Sequence, residues 1–233
     1  VNRNAGVVWS FSRQGSVGID VFAIEQQDVI SGDSAQYLVD NPQRFADRIV
    51  RDAQGRLQLL KNQYANQGSR KTRGVDLDAS YRFDLPNGDS LSLKTGWSHL
   101  LDYRQALVAG QELQEGAGNN LFGALPAWKS NHSLIWQSGD WQSSLTAAFT
   151  SGYTQKVATS ASNPGLNAKV ASFTQWDGQV SYQGFANTRL TLSVQNLFDR
   201  NPPFDPSAGS DFTDTTQYNL RGRQLSLSAS YQF

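Results

Sequence analysis

Between Leu225 and Phe233 apolar and polar residues alternate without a break. Leu225, Leu227, Ala229, Tyr231 and Phe233 share one face, and Ser226, Ser228, Ser230 and Gln232 share the other. A period of two is that of a β-strand held between two different environments. The same pattern recurs along the chain. Val7, Trp9 and Phe11 open it, and Val17, Ile19, Val21 and Ala23 follow, running on towards Val29-Ile30. Val75, Leu77, Ala79, Tyr81 and Phe83 oppose Asp76, Asp78, Ser80 and Arg82. Leu91, Leu93, Thr95 and Trp97 lead a fourth run up to Tyr103, and a fifth carries Trp128, Leu134 and Trp136. Trp141, Leu145, Ala147 and Phe149 make a sixth, Trp176, Val180 and Tyr182 a seventh, and Leu190, Leu192 and Val194 an eighth. With the terminal run, about nine strands are expected.

Their connections sort by length. Gln14-Gly15, Pro86-Asn87-Gly88-Asp89, Ser138-Gly139-Asp140 and Phe185-Ala186-Asn187 read as tight turns. Every other gap is long, at about residues 31–62, 105–126, 154–169 and 199–217. Within the first long loop, Asn41-Pro42 reads as a helix cap and first helical position, with Phe45 and Ile49 at i, i+4, and Asp52-Ala53-Gln54-Gly55 reads as a turn. Asn163-Pro164-Gly165 falls in the third. A soluble sandwich has no reason to separate its loops by length, whereas an outer-membrane barrel does. The expected fold is therefore all-β, an antiparallel up-and-down transmembrane β-barrel. Trp128 and Trp136, separated by about 20 Å of height on a strand tilted roughly 45°, would mark its two aromatic girdles.

Composition narrows the chemistry. Charged residues make up 17% of the 233 residues and the formal net charge is zero, so no basic surface points to nucleic acid. There is no cysteine, which excludes disulfides and thiolate metal sites. The two histidines, His99 and His132, lie far apart on the apolar parity and read as interfacial residues. No apolar run approaches the roughly 20 residues of a transmembrane helix. No Ser, His and acid fall where alternation would converge them, so catalysis is not expected, and neither is a cofactor. The chain has no methionine and opens without a signal segment, and nine strands ending on the short-turn side would begin on the long-loop side. Single-chain bacterial barrels normally have an even strand number, so a longer protein with at least one further strand is expected.

Several segments resemble the TonB-dependent outer-membrane receptors. Asn196-Leu197-Phe198-Asp199 ahead of the last long loop, Gly222-Arg223 after it, and Tyr231-Gln232-Phe233 at the end occur in that family's order. Gly74-Val75-Asp76-Leu77 is similar to a strand of the same family, and Asn41-Pro42 with Arg48-Ile49-Val50-Arg51 to one of its loops. The resemblance runs from about residue 17 to the end. It implies a barrel of 22 strands around a plug, of which this chain would be the C-terminal portion without the plug. It also implies uptake of a scarce bulky nutrient, most commonly a ferric siderophore, energised by TonB, ExbB and ExbD. Partners would further include outer-membrane lipids with lipopolysaccharide, a small-molecule ligand, and the barrel-assembly machinery, which in that family reads a terminal aromatic, here Tyr231 and Phe233. The rival reading is a passive porin or an autotransporter-type translocator.

Candidate ligand contacts are few. Arg70, Lys71 and Arg73 sit where the first long loop enters the third strand and would attract an anionic chelate or, as the favoured reading, face lipopolysaccharide at the rim. Tyr103, Trp128, Tyr153 and Tyr218 stand beside long loops, as stacking groups for a ligand or as girdle residues. Asp205, Asp211 and Asp214 fit no calcium-loop spacing and read as solvated.

Overall fold

A computed structural model of the chain describes residues 1–32, 35–106, 111–156, 168–208 and 211–233. Asn163-Pro164-Gly165 lies outside the described residues. Nine long strands follow one another in a single antiparallel sheet: β1 (Asn2–Trp9), β2 (Gly15–Gly32), β3 (Tyr64–Asp84), β4 (Ser90–Ala106), β5 (Trp128–Ser138), β6 (Trp141–Thr150), β7 (Phe173–Phe185), β8 (Thr188–Gln195) and β9 (Gln224–Tyr231). Along this path each pairs with its sequence neighbours, so the wall runs up and down with β1 and β9 at its two edges, and the short strand Gln114–Glu115 pairs with the long-loop end of β4 off the path.

Register places like with like. Val7, Ile19, Leu77 and Trp97 form one continuous row across four strands. Tyr81, Leu93, Leu134 and Leu145 form another, continued by Gly178, Val194 and Leu225. Between these rows, on the opposite side, lie Asp78 beside Gly96 and Ser80 beside Lys94. The wall thus has one apolar and one polar face, as a period of two demands.

That apolar face is not buried by the protein. Val7, Trp9, Ile19, Val21, Leu93, Trp97, Trp128, Leu134, Trp136, Leu145, Leu192 and Leu227 are all exposed, while the enclosed hydrophobic side chains are mostly in the loops. So large an exposed apolar surface is untenable in water and is what a wall standing in lipid presents. Among the described residues no helix is long and apolar enough to cross a membrane.

The four tight turns fall between β1 and β2, β3 and β4, β5 and β6, and β7 and β8. Gly88, Gly139 and Asn187 take positive φ there, at +86°, +52° and +55°. The remaining gaps are the long loops. The first contains helix α1 (Ala35–Asp40), a short 3-10 turn at Ala46–Arg48, and a two-stranded ribbon of Ile49–Arg51 with Leu57–Leu60. Here one expectation fails. The helix precedes Asn41-Pro42 instead of starting there, because proline follows a helix end as readily as it occupies a first turn. Phe45 and Ile49 therefore share no helix, Ile49 opening the ribbon, but they do pack together: Phe45 is buried with Leu38, and Ile49 and Leu60 lie against them. The turn at Asp52–Gly55 closes the ribbon, with Gly55 at φ +80° and the Asp52 carboxylate accepting from the backbone N–H of Gln54 and Arg56.

Candidate functional site

Chemistry collects at the long-loop end of the wall, where the strands outrun the apolar band. A bulge decides which side chains face which way. Arg73 pairs with Asp102 but Gly74 pairs with Leu100, so one extra residue sits in β4 at this point. Below the bulge the odd residues of β4, such as Trp97 and His99, share the apolar face with Leu77 and Val75. Above it the parity flips. Tyr103 and Gln105 now lie opposite Thr72 and Arg70 on the polar face, while Asp102 and Arg104 lie opposite Arg73 and Lys71 on the apolar side.

The structure therefore divides the basic trio. Arg70 joins Tyr103 on the polar face, its guanidinium 5.3 Å from the ring centre, and donates from Nε to Gln105 Oε1 at 3.3 Å. Tyr103 OH donates to the same oxygen at 2.8 Å. Arg73 goes to the other face, where its guanidinium binds Asp102.

The second long loop meets this platform at Phe122, 6.1 Å from Tyr103, and interlocks with the third and fourth. The Asp205 carboxylate, only 2% exposed, accepts from Tyr153 OH at 2.5 Å and from the N–H and Oγ of Ser207 at 2.8 and 2.5 Å. Ser207 Oγ in turn accepts from Asn120 Nδ2 at 2.6 Å, and Asn120 Oδ1 accepts from the Lys156 N–H. Gln217 ties the last loop to the second through the Ala124 carbonyl and accepts from Lys129 Nζ. Tyr153 and Tyr218, at 3% and 7% exposure, are enclosed in this cap. Burial, reinforced by the Asp205 carboxylate, pushes the Tyr153 hydroxyl far above its usual range, and burial with Asp214 nearby pushes Tyr218 up to about 12. Tyr218 meets Phe173 edge-on at 5.5 Å. A polar cleft of about 250 Å³ opens beside the cap, with Asn120, Asp205, Ser207, Thr213 and Asp214 among its walls.

Asp205 is the clearest departure from expectation, since it is not solvated but buried. Sequence reasoning missed it, together with Asn120, Ser207 and Gln105. The available signal was the tyrosine: an enclosed phenol usually finds an acceptor, as Tyr153 does in Asp205, whereas the equally enclosed Tyr218 hydroxyl meets none among the described residues. Asp214 caps its own turn, accepting from the N–H and Oγ1 of Thr216. Among the described residues no group of three or more His or acidic side chains is placed to hold a metal ion.

The Asn196–Asp199 segment acts as a clasp. Asn196 adopts φ +52° and its side chain both accepts from the Arg200 N–H and donates to the Arg200 carbonyl, at 3.0 and 2.9 Å. Asp199 reaches across to accept from the Arg223 N–H at 2.8 Å. Gly222, at φ +66°, leaves 3.1 Å between that carboxylate oxygen and where a Cβ would stand. The loop's exit and return are fastened to each other, which is why these two segments belong together. Tyr231 and Phe233 lie edge-on at 5.2 Å, both exposed. His99 stacks on Trp128 with centroids 3.6 Å apart, at the end of the apolar band, while His132 sits mid-band, bonded to Thr95 and Ser130.

An up-and-down wall with one bare apolar face, tight turns at one end and interlocked loops at the other defines a transmembrane β-barrel. The family model described as "TonB dependent receptor-like, beta-barrel" matches residues 1–197, and the chain belongs to that family. No relative among curated proteins matches the sequence. Similar solved structures include the FrpB iron transporter from Neisseria meningitidis (F3-3 variant), at TM-score 0.66 and 18% identity, covering 100% of this chain and 31% of that one. The outer membrane transporter YddB from Escherichia coli, at 0.66 and 14%, covers 100% and 32%. A mutant of the ferric enterobactin receptor PfeA from Pseudomonas aeruginosa, at 0.64 and 17%, covers 100% and 31%. The chain thus spans about a third of the length of these structures.

Proposed function

We propose that the protein carrying this chain is a bacterial outer-membrane receptor that takes up a scarce, bulky nutrient with energy from TonB, ExbB and ExbD, and that its substrate is a ferric siderophore complex. Family membership supports the transport class. The observation that carries the substrate is the Arg70–Tyr103–Gln105 platform, a cation over an aromatic ring on the polar face, at the end where the long loops converge. A ferric chelate is an anion with flat, polarisable ligand groups, and such a platform offers it charge and a stacking surface together. Tyr153 and Tyr218 serve the same site indirectly, by holding the loop cap above it. Arg73, on the other face, takes no part in ligand capture on this reading. Tyr231 and Phe233, on an exposed aromatic strand end, would be the segment that the barrel-assembly machinery engages.

The test is equilibrium binding of ferric siderophores, catecholate and hydroxamate in turn, to the full-length receptor in detergent. Arg70→Ala is expected to weaken the preferred chelate about tenfold, the loss of one charge-assisted contact of roughly 1.5 kcal/mol. Tyr103→Ala is expected to weaken it by a comparable factor. Wild-type affinity in both variants, or no binding of any ferric chelate by the wild type, would remove the substrate reading.

A further inference from the structure

Above its bulge, β4 outruns the strand beside it. Pairing with β5 stops at His99 opposite Trp128, and one further bond follows, from the Leu100 N–H to the Ala127 carbonyl at 2.9 Å. Tyr103 lies beyond that point, so on this side its backbone N–H and carbonyl have no long strand of the wall to pair with. The second long loop takes both groups. The Tyr103 N–H donates to Glu115 Oε1 at 3.0 Å, and the Gly116 N–H donates to the Tyr103 carbonyl at 2.7 Å. A side-chain carboxylate thus stands in for a ladder acceptor. Water would satisfy the same N–H without fixing the residue that carries it.

Glu115 is itself held in place. Its Oε1 also accepts from the Ala117 N–H at 2.8 Å, its Oε2 accepts from Arg104 Nε at 3.2 Å, and its carbonyl accepts from Asn119 Nδ2 at 3.0 Å. Bonds to an ionised acceptor are shorter and stronger than neutral ones, so the grip on Tyr103 is firm. Gly116 completes it by leaving room for the ring. A Cβ there would stand 2.9 Å from the Phe122 ring and 3.0 Å from the Tyr103 ring, closer than either ring accepts without shifting. Two consecutive loop residues therefore hold the backbone of Tyr103 and seat its side chain. Glu115 lies opposite Arg104, on the other face from Arg70 and the Tyr103 ring, and reaches the platform through the Tyr103 backbone.

We propose that Glu115 is a positioning residue of the ligand platform: its carboxylate takes the place of the missing strand at Tyr103 and fixes the ring beside the Arg70 guanidinium, in the space that Gly116 leaves open. Glu115 does not touch the ligand. Its influence on binding passes through Tyr103, and its ion pair with Arg104 is dispensable to that role. The inference rests on the reading of Arg70, Tyr103 and Gln105 as the site of ligand capture, but the placement of the Tyr103 ring is measurable with no ligand present.

The experiment uses the full-length receptor in detergent, with a fluorinated tyrosine placed at residue 103 and read by fluorine NMR, and heat-modifiable migration as the check that each variant is folded. Glu115→Ala is expected to shift and broaden the ligand-free resonance. Glu115→Gln, which keeps an acceptor oxygen for the Tyr103 N–H, and Arg104→Gln, which removes only the ion pair, are expected to leave it in place. Gly116→Ala is expected to displace it with the backbone bonds intact. Binding is then measured with the catecholate or hydroxamate ferric chelate that the wild type prefers. Glu115→Ala is expected to weaken it about fivefold, within the roughly tenfold effect of Tyr103→Ala, and Glu115→Gln by no more than about twofold. In a Tyr103→Ala background, Glu115→Ala is expected to add no further loss, since the two residues act as one unit. An unchanged resonance in folded Glu115→Ala, a Glu115→Gln no better than Glu115→Ala, or an undiminished effect in the Tyr103→Ala background would each overturn the proposal. No ferric chelate bound by the wild type, with the resonance disturbed in Glu115→Ala as expected, would remove the substrate reading and uphold the positioning of Tyr103.

Discussion

Replacing Asp205 by alanine removes the acceptor on which the loop cap is hung. Its carboxylate takes three hydrogen bonds, from Tyr153 OH and from the N–H and Oγ of Ser207. Bonds to a charged acceptor contribute roughly 1.5–3 kcal/mol each. Ser207 can turn to water once the loop loosens, but Tyr153 OH is enclosed and is left without a partner. A local cost of about 3 kcal/mol follows, equivalent to about a hundredfold rise in the population of the open cap. The wall strands, held by their own ladders, are expected to be untouched. Amide hydrogen exchange by mass spectrometry on the full-length receptor reads this directly. Peptides covering residues 118–125, 153–156 and 211–218 are expected to exchange about a hundredfold faster in Asp205→Ala, and those of β3 and β4 at the wild-type rate. Tyr153→Phe, which deletes one bond and strands no donor, is expected to give about tenfold. Unchanged protection of residues 153–156 in Asp205→Ala, or acceleration spread evenly over the wall, would refute the reasoning.

Three further outcomes follow from the loops. Asn196→Ala is expected to destabilise the clasp by about 2 kcal/mol, since alanine is strained at φ +52° and both bonds to Arg200 are lost; Asn196→Gly, which tolerates that φ, is expected to cost less in the same denaturant titration. Because the folded Tyr218 hydroxyl is raised from 10.0 to about 12, its share of cap stability is fully present below pH 10 and is lost as pH rises through about 12. Tyrosinate absorbance of Tyr218→Phe is expected to lack a group titrating near 12. Asp52 lies below the usual carboxylate range, first because the Arg56 N–H bonds to it and then through the Arg56 side chain and Gln54 N–H. Its contribution to the ribbon is present above the ordinary carboxylate pKa and fades as pH falls through the lowered one. Asp52→Ala at neutral pH is expected to speed tryptic cleavage after Arg56, and an unchanged rate would count against the turn's dependence on that carboxylate.

The wall was legible in the sequence because its two faces meet two different solvents. Alternation at Val75–Phe83 or Leu225–Phe233 reports a pleat directly, and turn chemistry at Asn87-Gly88 and Ser138-Gly139 fixes where the chain reverses. What alternation cannot carry is a change of parity without a change of composition. Leu100 and Leu101 look like any two apolar residues, yet the bulge there sends Tyr103 to one face and Arg104 to the other, and splits Arg70 from Arg73. The strands also outrun their apolar alternation: β3 begins at Tyr64, where the loop bounds of 31–62 put it, although alternation starts only at Val75, because the outer part of a barrel strand leaves the lipid while its backbone ladder continues. Loop contacts such as Tyr153 with Asp205 join residues far apart in sequence and leave no periodic trace. The helix in the first loop was misplaced because proline signals both a start and a stop.

The assignment of faces is tested most directly by single-cysteine scanning along β4 of the full-length receptor in intact outer membranes, with a membrane-impermeant maleimide as probe. The 233 residues contain no cysteine, and any elsewhere in the receptor is first replaced by serine. Ser92, Lys94, Gly96 and Ser98 replaced in turn are expected to label from water, and Leu93, Thr95, Trp97 and His99 to resist. Above the bulge the phase is expected to invert, with Tyr103 on the polar face labelling from the lumen. Labelling without a two-residue period, or with one that runs through Leu100–Leu101 unshifted, would contradict the structure described.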